Sequence, residues 1–130
     1  MLWNATLETG IIKIDEQHKE LFRQVDILMD RGQDDRIPAT LDFLGKYVIK
    51  HFSDEQVMHA ASKYPKAEAH KKMHSQFIGV FKEMKQKYET SGHSLSVVME
   101  INKAVMGWLK EHIMVHDKEF AAYYKSRGQT

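Results

Sequence analysis

The chain has 130 residues, enough for the core of one ordinary domain and too few for two. Its 19 Lys and Arg nearly balance 18 Asp and Glu, and the formal charge of +1 offers no field to attract nucleic acid or anionic lipid. With no Cys, disulfides, thiolate metal sites and thiol nucleophiles are excluded, so any metal must be held by nitrogen and oxygen.

Eight Met and only two Pro suit long helices, whereas eight His need an account of their own. The first ten residues have neither the basic start nor the apolar stretch of a secretion signal, and no apolar run approaches membrane-spanning length. A cytoplasmic protein without membrane insertion is expected.

Residues 1–13 carry Trp3, Leu7, Ile11 and Ile12 without a stable period and are expected to form an arm across the core, with Trp3 as packing. Asp15 reads as the N-cap of a first helix over about 15–31, in which Ile14, His18, Leu21, Phe22, Val25, Leu28 and Met29 recur at spacings of three and four. This helix should end near Gly32. A second, about 36–62, has Pro38 in its first turn and Leu41, Leu44, Val48, His51, Phe52, Glu55 and Met58 on one face.

The Lys63-Tyr64-Pro65 turn precedes a third helix, about 66–89, whose inward face is His70, Met73, His74, Phe77, Phe81, Met84 and Tyr88. After the break around Gly92, Ser94 caps a fourth, about 94–116, with Val98, Ile101, Val105, Trp108, Leu109 and His112 inward and a short helical tail beyond. Four amphipathic helices with short connections predict an all-α fold, an antiparallel up-down-up-down four-helix bundle with an N-terminal arm, in one domain over 1–130.

Histidines fall on the apolar faces of all four helices. A lone inward His is more often hydrogen-bonded in a core than bound to a metal, and His18 taken alone fits a half-buried surface residue. Pairs one turn apart, His70 with His74 and His51 with Glu55, put two donors on one face. Glu55 and His59 repeat that spacing, but His59 is expected to be solvated. His18 lies early in its helix, His51 late, His70 early and His112 late, so an antiparallel bundle brings all four to one end. Burying so many basic rings without a cation would cost several kcal/mol for each that became charged.

That donor set is too large for one tetrahedral ion. Five imidazoles, two bridging carboxylates and one bridging oxide or hydroxide fill all but one position of two octahedra. Mixed imidazole and carboxylate ligation with an open position suits iron or manganese and leaves zinc open.

These residues resemble a known family, the hemerythrins, and most nearly its single-domain bacterial forms. The likeness runs from the Trp3 arm and Gly10-Ile-Ile-Lys-Ile-Asp15-Glu-Gln-His18-Lys through His51-Phe-Ser-Asp-Glu55, His70-Lys-Lys-Met-His74 and Trp108-Leu-Lys-Glu-His112-Ile-Met-Val-His116-Asp117. The pattern is a His, then HxxxE, HxxxH and HxxxxD. The resemblance implies two iron ions, cycling between Fe2+ and Fe3+, with a bridging oxide or hydroxide. His70, His74 and His112 would hold one, His18 and His51 the other, with Glu55 and Asp117 bridging.

It further implies that dioxygen binds at the iron of His18 and His51, within an apolar wall for which Phe22, Leu109 and Ile113 are the candidates. Met73 and Met114 are further contributors to weigh, with Met73 read as core. Ligand spacing by five on a regular helix splays His112 and Asp117 by about 140°, so the helix should distort or end there. His116, close in angle to His112, is assigned with Met114 to outer contacts or a solvent path, and His93 to a loop.

The expected function is non-enzymatic, reversible dioxygen binding for storage or delivery by a monomer, to an oxygen-consuming recipient that the residues do not identify. The alternatives are an oxygen or redox sensor acting through a partner and a di-iron enzyme of peroxidase or nitric-oxide reductase type. No inward tyrosine, cysteine or general acid is expected beside the open position to support the enzyme.

Overall fold

The computed structural model describes residues 3–29 and 36–128. A 3-10 turn, Ala5–Leu7, lies within the arm, followed by α1 (Ile12–Met29), α2 (Ile37–Ser62), α3 (Ala67–Thr90) and α4 (Leu95–Glu111). A π-helical segment, His112–Asp117, then runs into α5 (Lys118–Ser126). Helices α1 and α2, α2 and α3, α3 and α4, and α1 and α4 pack as neighbours, which closes a four-helix ring. Gly32, the expected end of the first helix, lies outside the described residues.

Asp15 is not the N-cap of α1, which starts three residues earlier at Ile12. Its carboxylate folds back instead, accepting from the Thr9 N–H at 2.8 Å, the Thr9 hydroxyl at 2.7 Å and the Gly10 N–H at 3.0 Å. The Thr9 hydroxyl oxygen in turn accepts from the Ile11 N–H at 3.1 Å. Donors of the arm just ahead of the helix are thus satisfied by a first-turn carboxylate, and the arm is fastened to the bundle. Gly10 sits at φ +87, in the left-handed region, and a Cβ there would collide with the Lys125 side chain of α5.

Pro38 lies in the first turn of α2, where its missing N–H is no loss. The end of α2 is a Schellman motif: Lys63 is left-handed at φ 55, its N–H donates to Ala60 O at 3.2 Å, and the Tyr64 N–H donates to His59 O at 2.9 Å. Tyr123 of α5 adds its hydroxyl to the Ser62 and Lys63 carbonyls at 2.6 and 3.0 Å. This motif sets Tyr64 against His59, ring centroids 5.2 Å apart.

Two apolar clusters form. The larger includes Phe22, Leu44, Val48, Phe52, Phe77, Phe81, Val98, Ile101, Leu109 and Ile113; the smaller joins Ile11, Ile14, Tyr64, Phe120 and Ala121. Burying each large apolar side chain contributes about 1.5–3 kcal/mol. Between the clusters lies a polar layer: Phe52 of the first packs on His74, and Phe120 of the second on His59, which in turn packs on His70.

Candidate metal centre

Three helices of the ring and the π-helical segment that continues the fourth contribute to that layer. His18 comes from α1, His51 and Glu55 from successive turns of α2, His70 and His74 from successive turns of α3, and His112 and Asp117 from the two ends of the π-helical segment; all seven are buried. The wide turn resolves the awkward five-residue spacing. With hydrogen bonds running from i+5 to i, as Lys118 N–H to Ile113 O does, His112 and Asp117 return to one face, and Asp117 Oδ1 lies 3.1 Å from His112 Nε2.

A π turn holds one residue more than an α turn, so deleting the exposed Val115 should restore a regular helix with the two donors four residues apart and still facing inward. The shortened chain is expected to bind as many metal ions as the parent by elemental analysis. Loss of all metal would show that the wide turn itself is required.

The donors form two overlapping groups, Glu55, His70, His74, His112 and Asp117 in one and His18, His51, Glu55 and Asp117 in the other, the ligand atoms of each lying within 4.8 Å of one another. His70 Nε2 is 2.8 Å from Glu55 Oε1 and 3.1 Å from Asp117 Oδ1; His74 Nε2 is 3.2 Å from Glu55 Oε1; His18 Nε2 is 3.0 Å from Asp117 Oδ2. Two like atoms, Nε2 of His70 and of His112, face each other at 2.9 Å.

Donors at right angles around an ion with bonds of about 2.1 Å lie about 3.0 Å apart, which these separations match. Despite such short distances, both Glu55 oxygens, Asp117 Oδ1, both His18 nitrogens and His74 Nε2 are buried without an aligned hydrogen bond. Donor atoms crowded together yet not aimed at one another are the geometry of groups converging on shared points, and buried polar atoms demand a partner.

The outer ring nitrogens select the required tautomer. Gln17 Oε1 lies 2.7 Å from His51 Nδ1 and Gln56 Oε1 lies 3.1 Å from His74 Nδ1. An amide oxygen can only accept, so each Nδ1 carries the proton and each Nε2 keeps its lone pair turned inward. Stacking fixes the planes: Phe52 lies on His74 at 3.8 Å and Trp108 on His112 at 4.2 Å.

Electrostatics favour cations. Burial and the nearby Asp117 both push the Glu55 carboxyl up, but the His70 and His74 ring nitrogens outweigh them and hold it at about 2. Asp117 is likewise held well below the usual carboxylate range, by His112, His18 and His70 against the effect of burial. Burial lowers His70, yet the Asp117 and Glu55 carboxylates raise it to about 9; His51, penalised by burial and by His18, falls to about 4. The two carboxylates, both held ionised inside the layer, supply the anionic charge that bound cations would offset.

Phe22, Leu109 and Ile113 are buried in the larger apolar cluster. Phe22 is one turn beyond His18, and Leu109 and Ile113 flank His112. Met114 is corrected: it is 45% exposed and cannot line an interior wall. Met73 is half-buried. His116 is half-buried, its ring 5.4 Å from His112 and 6.4 Å from His70, on the rim of the layer. His93 is an exposed loop residue stacked on Tyr88 at 4.6 Å.

His59 is the larger correction. Expected in solvent, it is 1% exposed, because the end of α2 is covered by Tyr64 and by Phe120 of α5. Tyr64, expected in the turn after the second helix, is buried against His59, its hydroxyl donating to Glu119 at 3.4 Å. Gln17, Gln56 and the two aromatic stacks have no signature of their own: a Gln beside a ligand is ordinary on a polar helix face, and Gln17 meets His51 only across the bundle.

Fold and site together define a cation-binding four-helix bundle with a histidine and carboxylate centre. The hemerythrin HHE cation binding domain matches residues 9–124, and the chain belongs to the hemerythrin family. It is 33% identical over 118 residues to a myohemerythrin of Theromyzon tessulatum, covering 91% of this chain and 88% of that protein. To a bacteriohemerythrin of Methylococcus capsulatus it is 31% identical over 122 residues, covering 91% and 92%. A crystal structure of wild-type hemerythrin superposes with a TM-score of 0.83 at 31% identity, covering 94% of this chain and 95% of that one.

Proposed function

We propose that this protein binds dioxygen reversibly at a pair of iron ions joined by a bridging oxide or hydroxide, and that it stores or delivers oxygen without being an enzyme. The observation that carries the reading is the pair of overlapping donor groups sharing Glu55 and Asp117, one with three imidazoles and one with two. In this reading His70, His74 and His112 hold one ion, His18 and His51 the other, and the two carboxylates bridge. The ions supply electrons that oxygen borrows and returns.

The protein's own part is electrostatic and steric. Five neutral imidazoles and only two carboxylates bring less anionic charge than carboxylate-rich di-iron bundles, so the oxidised state is less favoured and release is easier. Gln17 and Gln56 keep His51 and His74 in the binding tautomer. Phe22, Leu109 and Ile113 exclude water from the side holding two imidazoles, which hinders protonation and loss of reduced oxygen. His116, on the rim, lines the path to solvent. No described helix is long and apolar enough to cross a membrane; we read the protein as a cytoplasmic monomer serving an oxygen-consuming recipient.

The test loads the protein anaerobically with ferrous iron, exposes it to air and then removes oxygen. Two irons per chain and a charge-transfer band that forms in air and is lost on deoxygenation are expected. Irreversible oxidation within one cycle, or turnover of peroxide, would replace the carrier by an enzyme.

A further inference from the structure

His59 is a buried ionisable side chain with no task in the function proposed above. Both its nitrogens are inaccessible and neither has a hydrogen-bond partner among the described residues. The Schellman turn anchors its backbone, since His59 O accepts from the Tyr64 N–H. Its ring is walled by His70 at 4.5 Å, Phe120 at 4.3 Å and Tyr64 at 5.2 Å. Its Nε2 faces Glu55 Oε1 at 3.9 Å, and that oxygen also lacks an aligned partner.

We propose that His59 is a positioning residue for Glu55, donating its Nε2–H to Oε1 and drawing negative charge away from the carboxylate that joins the two halves of the centre. The inference rests on the di-iron reading of that site.

Three observations favour it. Two imidazoles of the centre already have an outer partner, Gln17 for His51 and Gln56 for His74, and His59, one turn on from Glu55 and outside both donor groups, is placed to be one for the carboxylate. The separation exceeds a hydrogen bond by only about 1 Å. A pocket of about 190 Å³ lies against His59, lined also by Gln56, Ala60, Ala67, Glu68 and Lys71, and gives the ring room to shift. Chemically the role suits a neutral ring, which keeps one N–H as a donor without adding charge to the core.

A carboxylate relieved of charge donates less to ferric iron, so the donor should favour the ferrous pair. In the iron-loaded protein His59→Leu is expected to lower the midpoint potential of each one-electron step by about 59 mV, a tenfold shift toward ferric. His59→Gln, which keeps an N–H donor, should stay close to the parent. A purely structural role would move both variants alike; that result, or an unchanged potential in His59→Leu, overturns the inference while the parent still binds two irons. A parent that binds fewer than two irons overturns the reading of the site and this inference with it. Should His59→Leu fail to fold, nitrogen NMR of the zinc-loaded parent decides: an Nε2–H tautomer at His59 supports the role, and an Nδ1–H tautomer overturns it.

Discussion

His51→Ala is expected to abolish oxygen binding and leave the bundle folded, whereas His93→Ala keeps oxygen binding. His51 is 2% exposed, belongs to the donor group with only two imidazoles, and packs edge-on against His18 at 4.8 Å. Removing it leaves that ion a single imidazole and two shared carboxylates, while the group of His70, His74 and His112 is intact. Iron content should fall toward one per chain and the reversible band should vanish. Helical content should persist, because Phe52 and the apolar cluster beside it are untouched.

His93 is the matched control: exposed, in a loop at φ 65, with its N–H donating to Tyr88 O at 3.1 Å. Truncating it alters no donor. Equal loss in both variants would mean that the ligand assignment is wrong.

The second large effect is expected at Asp117. Its carboxylate lies within 3.1 Å of His18, His70 and His112, which come from three different segments, and it belongs to both donor groups. Asp117→Ala should therefore leave less than two metal ions per chain by elemental analysis, with the loss not confined to one group. In the metal-free protein the change also removes a counter-charge of the His70 imidazolium. Glu55 stays 2.8 Å from the His70 ring, so the charge keeps one partner and the denaturant midpoint should fall without loss of the fold. Retention of two ions would show that Asp117 does not bridge them.

Most of the helical architecture is legible in residue spacing, because each helix announces itself by apolar residues at three and four and by local stops: Pro38 in a first turn, Ser94 accepting from the Val97 N–H. Asp15 was less legible. An acidic residue before an apolar run reads as a cap, yet here it reaches back to Thr9 and Gly10, and the helix start moves with it. Only the arm's tertiary position decides between those two uses of one carboxylate.

The stretch from His112 to Asp117 divides the two kinds of information. The need for a distorted helix follows from the sequence, since five-residue spacing cannot put both donors on one face of a regular α-helix. Its form, a π turn continuing into α5 rather than a break, depends on packing: Phe120 and Ala121 of α5 complete the smaller apolar cluster, so continuing the helix buries surface that a terminus would expose.

By itself the sequence determined the class of fold, the donor chemistry and the neutrality that turns away polyanions, because these follow from residue type and short-range spacing. The tertiary structure alone decided that Gln17 and Gln56 set the tautomers, that Met114 faces solvent, and that His59 is buried beside Glu55. Each of those depends on contacts between helices whose residues lie far apart in the chain, and a helix's own periodicity cannot say which neighbour will cover its ends.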